Sequence, residues 1–218
     1  MSWTALPWNL AVILGLAVAA VLWGARRARR RGPPPRRRIA GLAAIEDAVG
    51  AATEQGRPVF YVAGTQDLDD VQTVASLGIL GAVGEMTARH GCELVMPTDR
   101  SLVMAAGREV LRDSYTRAGR PDAYVPDMVG YVSDDQFGFA ARVDGMIMRR
   151  RPAAVLLQGA FYAESLLLAE AGAQAGAIQV AGTAMSHQLP FLVAACDHVL
   201  IGEEFFAAEA YLSGDDER

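Results

Sequence analysis

Three glutamates, Glu164, Glu203 and Glu204, each stand just beyond a short apolar run, where a strand would hand over to a helix. Carboxylates gathered from strand ends can hold Mg²⁺ or act as general acid and base. Thr65, Gln66, Asp67, Thr98, Asp99, Ser133, Asp134, Asp135, Gln158, Thr183, Ser186 and His187 occupy the same kind of position. In an open parallel sheet that edge is where ligands bind, and the helix N-termini pointing at it favour an anionic group. A plainer account competes. Asp69, Asp99, Ser133 and Ser186 are residue types that helix N-caps prefer, and first-turn glutamates complement the helix dipole. The candidate ligand-binding set is therefore Thr65, Asp67, Asp99, Asp134, Asp135, Glu164, Thr183, Ser186, Glu203 and Glu204, with no catalytic residue and no resident metal assigned.

Other motifs carry less. Ser186-His187 suggests a hydrolase, but no GxSxG elbow precedes it. Cys196 and His198 have no second ligand pair at zinc-like spacing. Cys92 and Cys196 read as buried free thiols. The chain contains no lysine, which excludes a P-loop lysine and Schiff-base chemistry. Gly78, Gly81 and Gly84 recur inside a predicted helix rather than in a strand-to-helix turn, so they read as a close-packing notch and not as a dinucleotide fingerprint.

These residues need a scaffold, and the stretch from Pro152 to Leu212 supplies its pattern. Apolar runs at 153–157, 177–180 and 198–201 alternate with helical segments at 162–172, 188–195 and 205–212. Upstream, 59–63, 92–96 and the weak run 131–132 predict three more strands, with helices over 42–53, from Asp69 or Asp70 to about His90, over 101–118 and over 135–150. Short apolar strands alternating with helices indicate a parallel sheet covered on both faces. The expected fold is α/β, a three-layer Rossmann-like sandwich on a mostly parallel sheet of five or six strands, preceded by an N-terminal transmembrane helix.

That helix is expected over residues 1–25, which carry no charge. Trp3 to Ala25 would span about 34 Å at 1.5 Å per residue, against a bilayer core of about 30 Å. Residues 26–38 hold eight arginines, Arg26, Arg27, Arg29, Arg30, Arg31, Arg36, Arg37 and Arg38, and no acid. They read as a basic, proline-broken juxtamembrane linker able to meet lipid headgroups. Basic residues after the apolar run, not before it, predict an uncleaved single-pass anchor with the N-terminus out and the following domain cytoplasmic. Residues 39–218 carry 12 arginines against 25 acids, a net −13, which argues against nucleic-acid binding. A domain over 39–213 and a frayed tail over 214–218 complete the organisation.

The phrases IAGLAAIEDAVGAATEQGRPV, SDDQF, GAFYAESLLLAEAG, QVAGTA and PFLVAACDHVLIGEEFFAAEAYLS together resemble a family of prokaryotic membrane-anchored domains of unknown function, over Ile39 to Ser213. The resemblance implies a transmembrane segment with a cytoplasmic α/β domain and no activity or cofactor to carry over. Two functions fit. One is an interaction or assembly module beside the membrane, docking to itself or to other membrane proteins, with the lipid bilayer as a further partner. The other is an enzyme or sensor binding a small anionic or nucleotide ligand, with or without Mg²⁺, at the sheet's C-terminal edge.

Overall fold

The computed structural model describes residues 8–31 and 40–212, which fall into two units dividing after Arg38. The first unit contributes one helix, α1 (Trp8–Arg31). Its apolar stretch, Val12–Gly24, leaves Ile13, Leu14, Leu16, Val21 and Trp23 exposed, and the Arg27 guanidinium lies 5.3 Å from the Trp23 ring centre. The helix continues through Arg26–Arg31 instead of ending where the basic linker was expected to begin. Arginine is a good helix former, and residues 25–31 contain no glycine or proline. Trp3, Arg36, Arg37, Arg38 and the tail 214–218 lie outside the described residues.

The second unit runs in the order α2 (Ala40–Gln55), β1 (Val59–Val62), α3 (Val71–His90), β2 (Leu94–Thr98), α4 (Ser101–Arg117), β3 (Val129–Tyr131), α5 (Gln136–Arg150), β4 (Ala154–Gln158), α6 (Glu164–Ala175), β5 (Ile178–Thr183), α7 (Leu189–Ala195), β6 (His198–Ile201), α8 (Glu203–Leu212). Six strands form one sheet in the order β3-β2-β1-β4-β5-β6, every described pair parallel. Alternate strand residues feed opposite cores, as a period of two requires. Tyr61, Leu94, Met96, Leu156 and Val180 pack under α2, α3, α4 and α8. Phe60, Val62, Val95, Val155 and Leu157 pack under α5, α6 and α7. Burial on both faces explains why the strands read as unbroken apolar runs. Phe205 and Ala208 of α8 are fully buried, so the segment 205–212 is core on that face.

Strand β2 lies two residues later than the sequence predicted. Gly91 adopts the left-handed conformation that ends α3, and the Cys92 N–H donates to Thr87 O at 2.9 Å, so Cys92 closes the helix rather than opening the strand. At the other end Pro97 and Thr98, expected in a turn, pair with β3, while pairing to β1 stops at Val95. Proline offers no N–H to a ladder, which suits the point where β2 changes neighbour. Gly81 and Gly84 of the glycine notch pack on α4. A Cβ on Gly84 would stand 2.6 Å from Leu111, and one on Gly81 3.5 Å from Val110. Helix α3 is also the one described helix long and apolar enough to cross a membrane, but 67% of that stretch is buried in this unit.

Candidate active-edge crevice

Connections from β1 run outward through β2 to β3, and connections from β4 run the other way to β6. The direction reverses between β1 and β4, and in a doubly wound sheet the ligand crevice lies beyond the C-terminal ends of the strands at such a reversal. Two glycines let the two strand-to-helix turns cross there. Gly64 has φ +77 and Gly159 φ +128, and the Thr65 N–H donates to Ala160 O at 3.0 Å.

Glu164 begins α6 at this reversal with no exposed surface. Its Oε1 accepts from the Thr65 hydroxyl and from the Tyr162 N–H, both at 2.9 Å, and its Oε2 accepts a short bond from the Gln136 amide. One carboxylate thus ties together the ends of β1 and β4 and the start of α5. Arg100 donates through Nε and a terminal nitrogen to Thr65 O, at 3.3 and 3.2 Å, bringing in the end of β2.

Asp99 is placed differently. It is 2% exposed, its Oδ2 lies 3.6 Å from Arg100 Nε, and its Oδ1 has no hydrogen-bond partner. Capping does not account for it. Arg100, not Asp99, holds the N-cap position of α4, and the Arg100 N–H is met by the Thr98 hydroxyl at 3.2 Å. Burial pushes the Asp99 carboxyl up from 3.8 to about 6; the Arg100 guanidinium and the residue's own backbone N–H oppose that rise, and Glu164 and Asp67 add to it. Among the described residues three other buried side-chain atoms lack a partner, on Tyr124, Gln158 and Gln179, and Asp99 carries the one carboxyl. The Gln158 amide is turned back along β5, donating to Val180 O at 2.9 Å.

A carboxyl whose folded value lies above its unfolded value binds protons more tightly in the native state, so its contribution to stability falls as pH rises through the window between them. For Asp99 that window runs from 3.8 to about 6. Between pH 4 and pH 7 wild type is expected to lose about 2 kcal/mol relative to Asp99→Asn, measured as the difference between their urea-unfolding free energies.

The remaining candidates separate into three groups. Asp67 is half-buried, accepts from the Leu68 N–H at 2.8 Å and faces the crevice charge. Thr183 is fully buried at the end of β5, where its hydroxyl and the Ala184 N–H both meet Gln72 Oε1, at 3.2 and 2.7 Å. Asp134, Asp135, Ser186, Glu203 and Glu204 are exposed. Asp135 caps α5, accepting from the Gly138 N–H at 2.6 Å, and Asp70 rather than Asp69 caps α3. Ser186 precedes α7 without capping it, since Gln188 occupies that position.

The three glutamates do not gather. Strand β5 stands between β4 and β6, so Glu203 and Glu204 start about 10 Å from the Glu164 position. Among the described residues no group of three or more His, Cys, Asp or Glu side chains could hold a metal ion. Both cysteines are free, and burial pushes both thiols up, Cys196 to about 12.

Sequence reasoning missed Arg100 and Gln136. Both directly follow candidate acids, Asp99 and Asp135, so reading each strand-to-helix turn one residue further would have included them.

A family model described as "Domain of unknown function (DUF6754)" matches residues 3–218. No curated protein and no solved structure matches the chain.

Proposed function

Because the chain belongs to the DUF6754 family, a domain of unknown function, we propose its role from the geometry alone: a ligand-recognition domain whose crevice takes a small hydroxyl-bearing molecule of the nucleoside or sugar class. The observation that carries this reading is the Asp99 carboxyl, almost wholly buried with one oxygen unpartnered. An unpaired buried acceptor is costly, and a ligand hydroxyl or amine would satisfy it. In doubly wound sheets with strand order 3-2-1-4-5-6, the crevice between the first and fourth strands takes the ligand, and an acidic side chain beyond the first helix meets ribose hydroxyls. Asp99, directly after β2, stands in that kind of place. Phosphate fits less well, since Asp67, Asp69 and Asp70 surround the start of α3 where a pyrophosphate would sit. Recognition rather than turnover is proposed because both Glu164 oxygens are already engaged.

The exposed apolar side chains of α1, followed by Arg26 and Arg27, support a membrane tether with the N-terminus outside and the α/β unit on the cytoplasmic side. The test of the ligand reading is a thermal-shift screen of nucleosides, sugars and polyols against the full chain in lipid nanodiscs, repeated on Asp99→Asn. A nucleoside or sugar that raises the midpoint of wild type and not of the variant supports it; no shift with any compound overturns it.

One surface favours the assembly role as a second reading. Leu166 and Leu167 of α6 and Phe191 and Val193 of α7 are 41–54% exposed on neighbouring helices. Apolar surface of this kind marks contact sites, and another copy or a membrane protein would cover it. Cross-linking in membranes should then weaken in Leu167→Asp/Phe191→Asp.

A further inference from the structure

A cleft of about 500 Å³ opens at the β3 edge of the sheet, between α5 and the β2–β3 pair. Val95, Pro97, Val132 and Met146 give it apolar walls. Ala141 and Gly145, one helical turn apart, leave the room for it. Arg142 and Arg149 also line it, seven residues apart and so roughly 10 Å along one face of α5. Both are exposed, and among the described residues neither guanidinium has a hydrogen bond or an ion pair, as is also true of Arg120 and Arg151, whereas Arg57, Arg100 and Arg108 bind carbonyls and Arg89, Arg112, Arg117 and Arg150 bind acceptor side chains. One acid, Asp127, stands at the rim and is exposed.

In a unit that carries 25 acids against 12 arginines, this cleft sets two unpaired cations and one acid beside an apolar wall. Charge complementarity selects an anion, and the walls select an apolar body. The volume falls in the range of small-molecule sites. We propose that this cleft is a second, separate binding site for a small organic anion, an alkyl or aryl carboxylate, with the acid group on Arg142 or Arg149 and the body between β3 and α5. The inference is independent of the Asp99 crevice, because no residue of one site belongs to the other.

The experiment is isothermal titration of octanoate and of octanamide into the full chain in lipid nanodiscs, with empty nanodiscs as the blank. Octanoate is expected to bind at least tenfold more tightly than the uncharged amide. The double variant Arg142→Gln/Arg149→Gln should lose that preference while still binding the amide. Gly145→Leu should abolish both by filling the cleft. A Cβ at Gly145 meets only the flexible end of Arg149, at 3.0 Å, so this variant is expected to fold. Octanoate heats equal to the blank, equal affinity for acid and amide, or unchanged binding in either variant would overturn the proposal.

Discussion

Gly64→Ala is expected to destabilise the α/β unit by about 3 kcal/mol or more, one of the two largest effects foreseen for a single substitution. Two independent costs combine. The residue sits at φ +77, where an L side chain is strained, and its Cβ would lie 2.7 Å from Ala160 O and 2.8 Å from Ala160 N. Those neighbours are backbone and cannot swing aside. They belong to the turn that follows β4, so the clash would push β1 and β4 apart at the point where the sheet's connections reverse. Urea unfolding should show a lower midpoint with an unchanged slope, the mark of lost stability without a changed unfolded state. A midpoint within error of wild type would mean that the two turns do not cross as closely as described.

Glu164→Ala is expected to cost a similar amount, about 3 kcal/mol, for a different reason. The side chain is fully buried and accepts three hydrogen bonds. Truncation would leave the Thr65 hydroxyl, the Tyr162 N–H and the Gln136 amide without their acceptor at once. Glu164→Gln keeps the shape but turns an amide NH₂ toward donors, so it should fall between alanine and wild type. Unfolding free energies of the two variants check the order. If glutamine proves as damaging as alanine, the negative charge itself holds the crevice; if neither variant loses stability, the three hydrogen bonds contribute little.

Much of the fold was legible because burial on both faces leaves a plain trace. The run 153–157, covered above and below, has no polar position to interrupt it. Element ends were less legible, and Cys92 shows why: its apolar character suited a strand, but the left-handed Gly91 before it assigns it to a helix cap. The site was legible residue by residue and not as a set. Parallel topology places every strand-to-helix turn on one edge, so Glu164, Glu203 and Glu204 looked equivalent. Strand order decides which turns are neighbours, and no local pattern encodes it. Asp99 was visible as an acid at a strand end, yet in sequence it resembles any N-cap. Its burial, its unpartnered oxygen and the cap position taken by Arg100 emerge only when β2 is set beside β1.

Stability and recognition should therefore pull against each other at this position. The ionised Asp99 carboxylate costs the fold free energy, and a ligand donor is what would offset that cost. The same linkage makes ligand affinity depend on pH, because a hydroxyl donor binds best to the ionised acceptor. The most direct measurement is the affinity of the nucleoside or sugar identified by thermal shift, titrated from pH 5 to pH 7.5 on wild type and on Asp99→Asn. Affinity should rise roughly tenfold in wild type, with a midpoint near pH 6, and stay flat and weak in the variant. Binding that ignores pH, or that survives Asp99→Asn undiminished, would contradict the assignment of Asp99 as the recognition group.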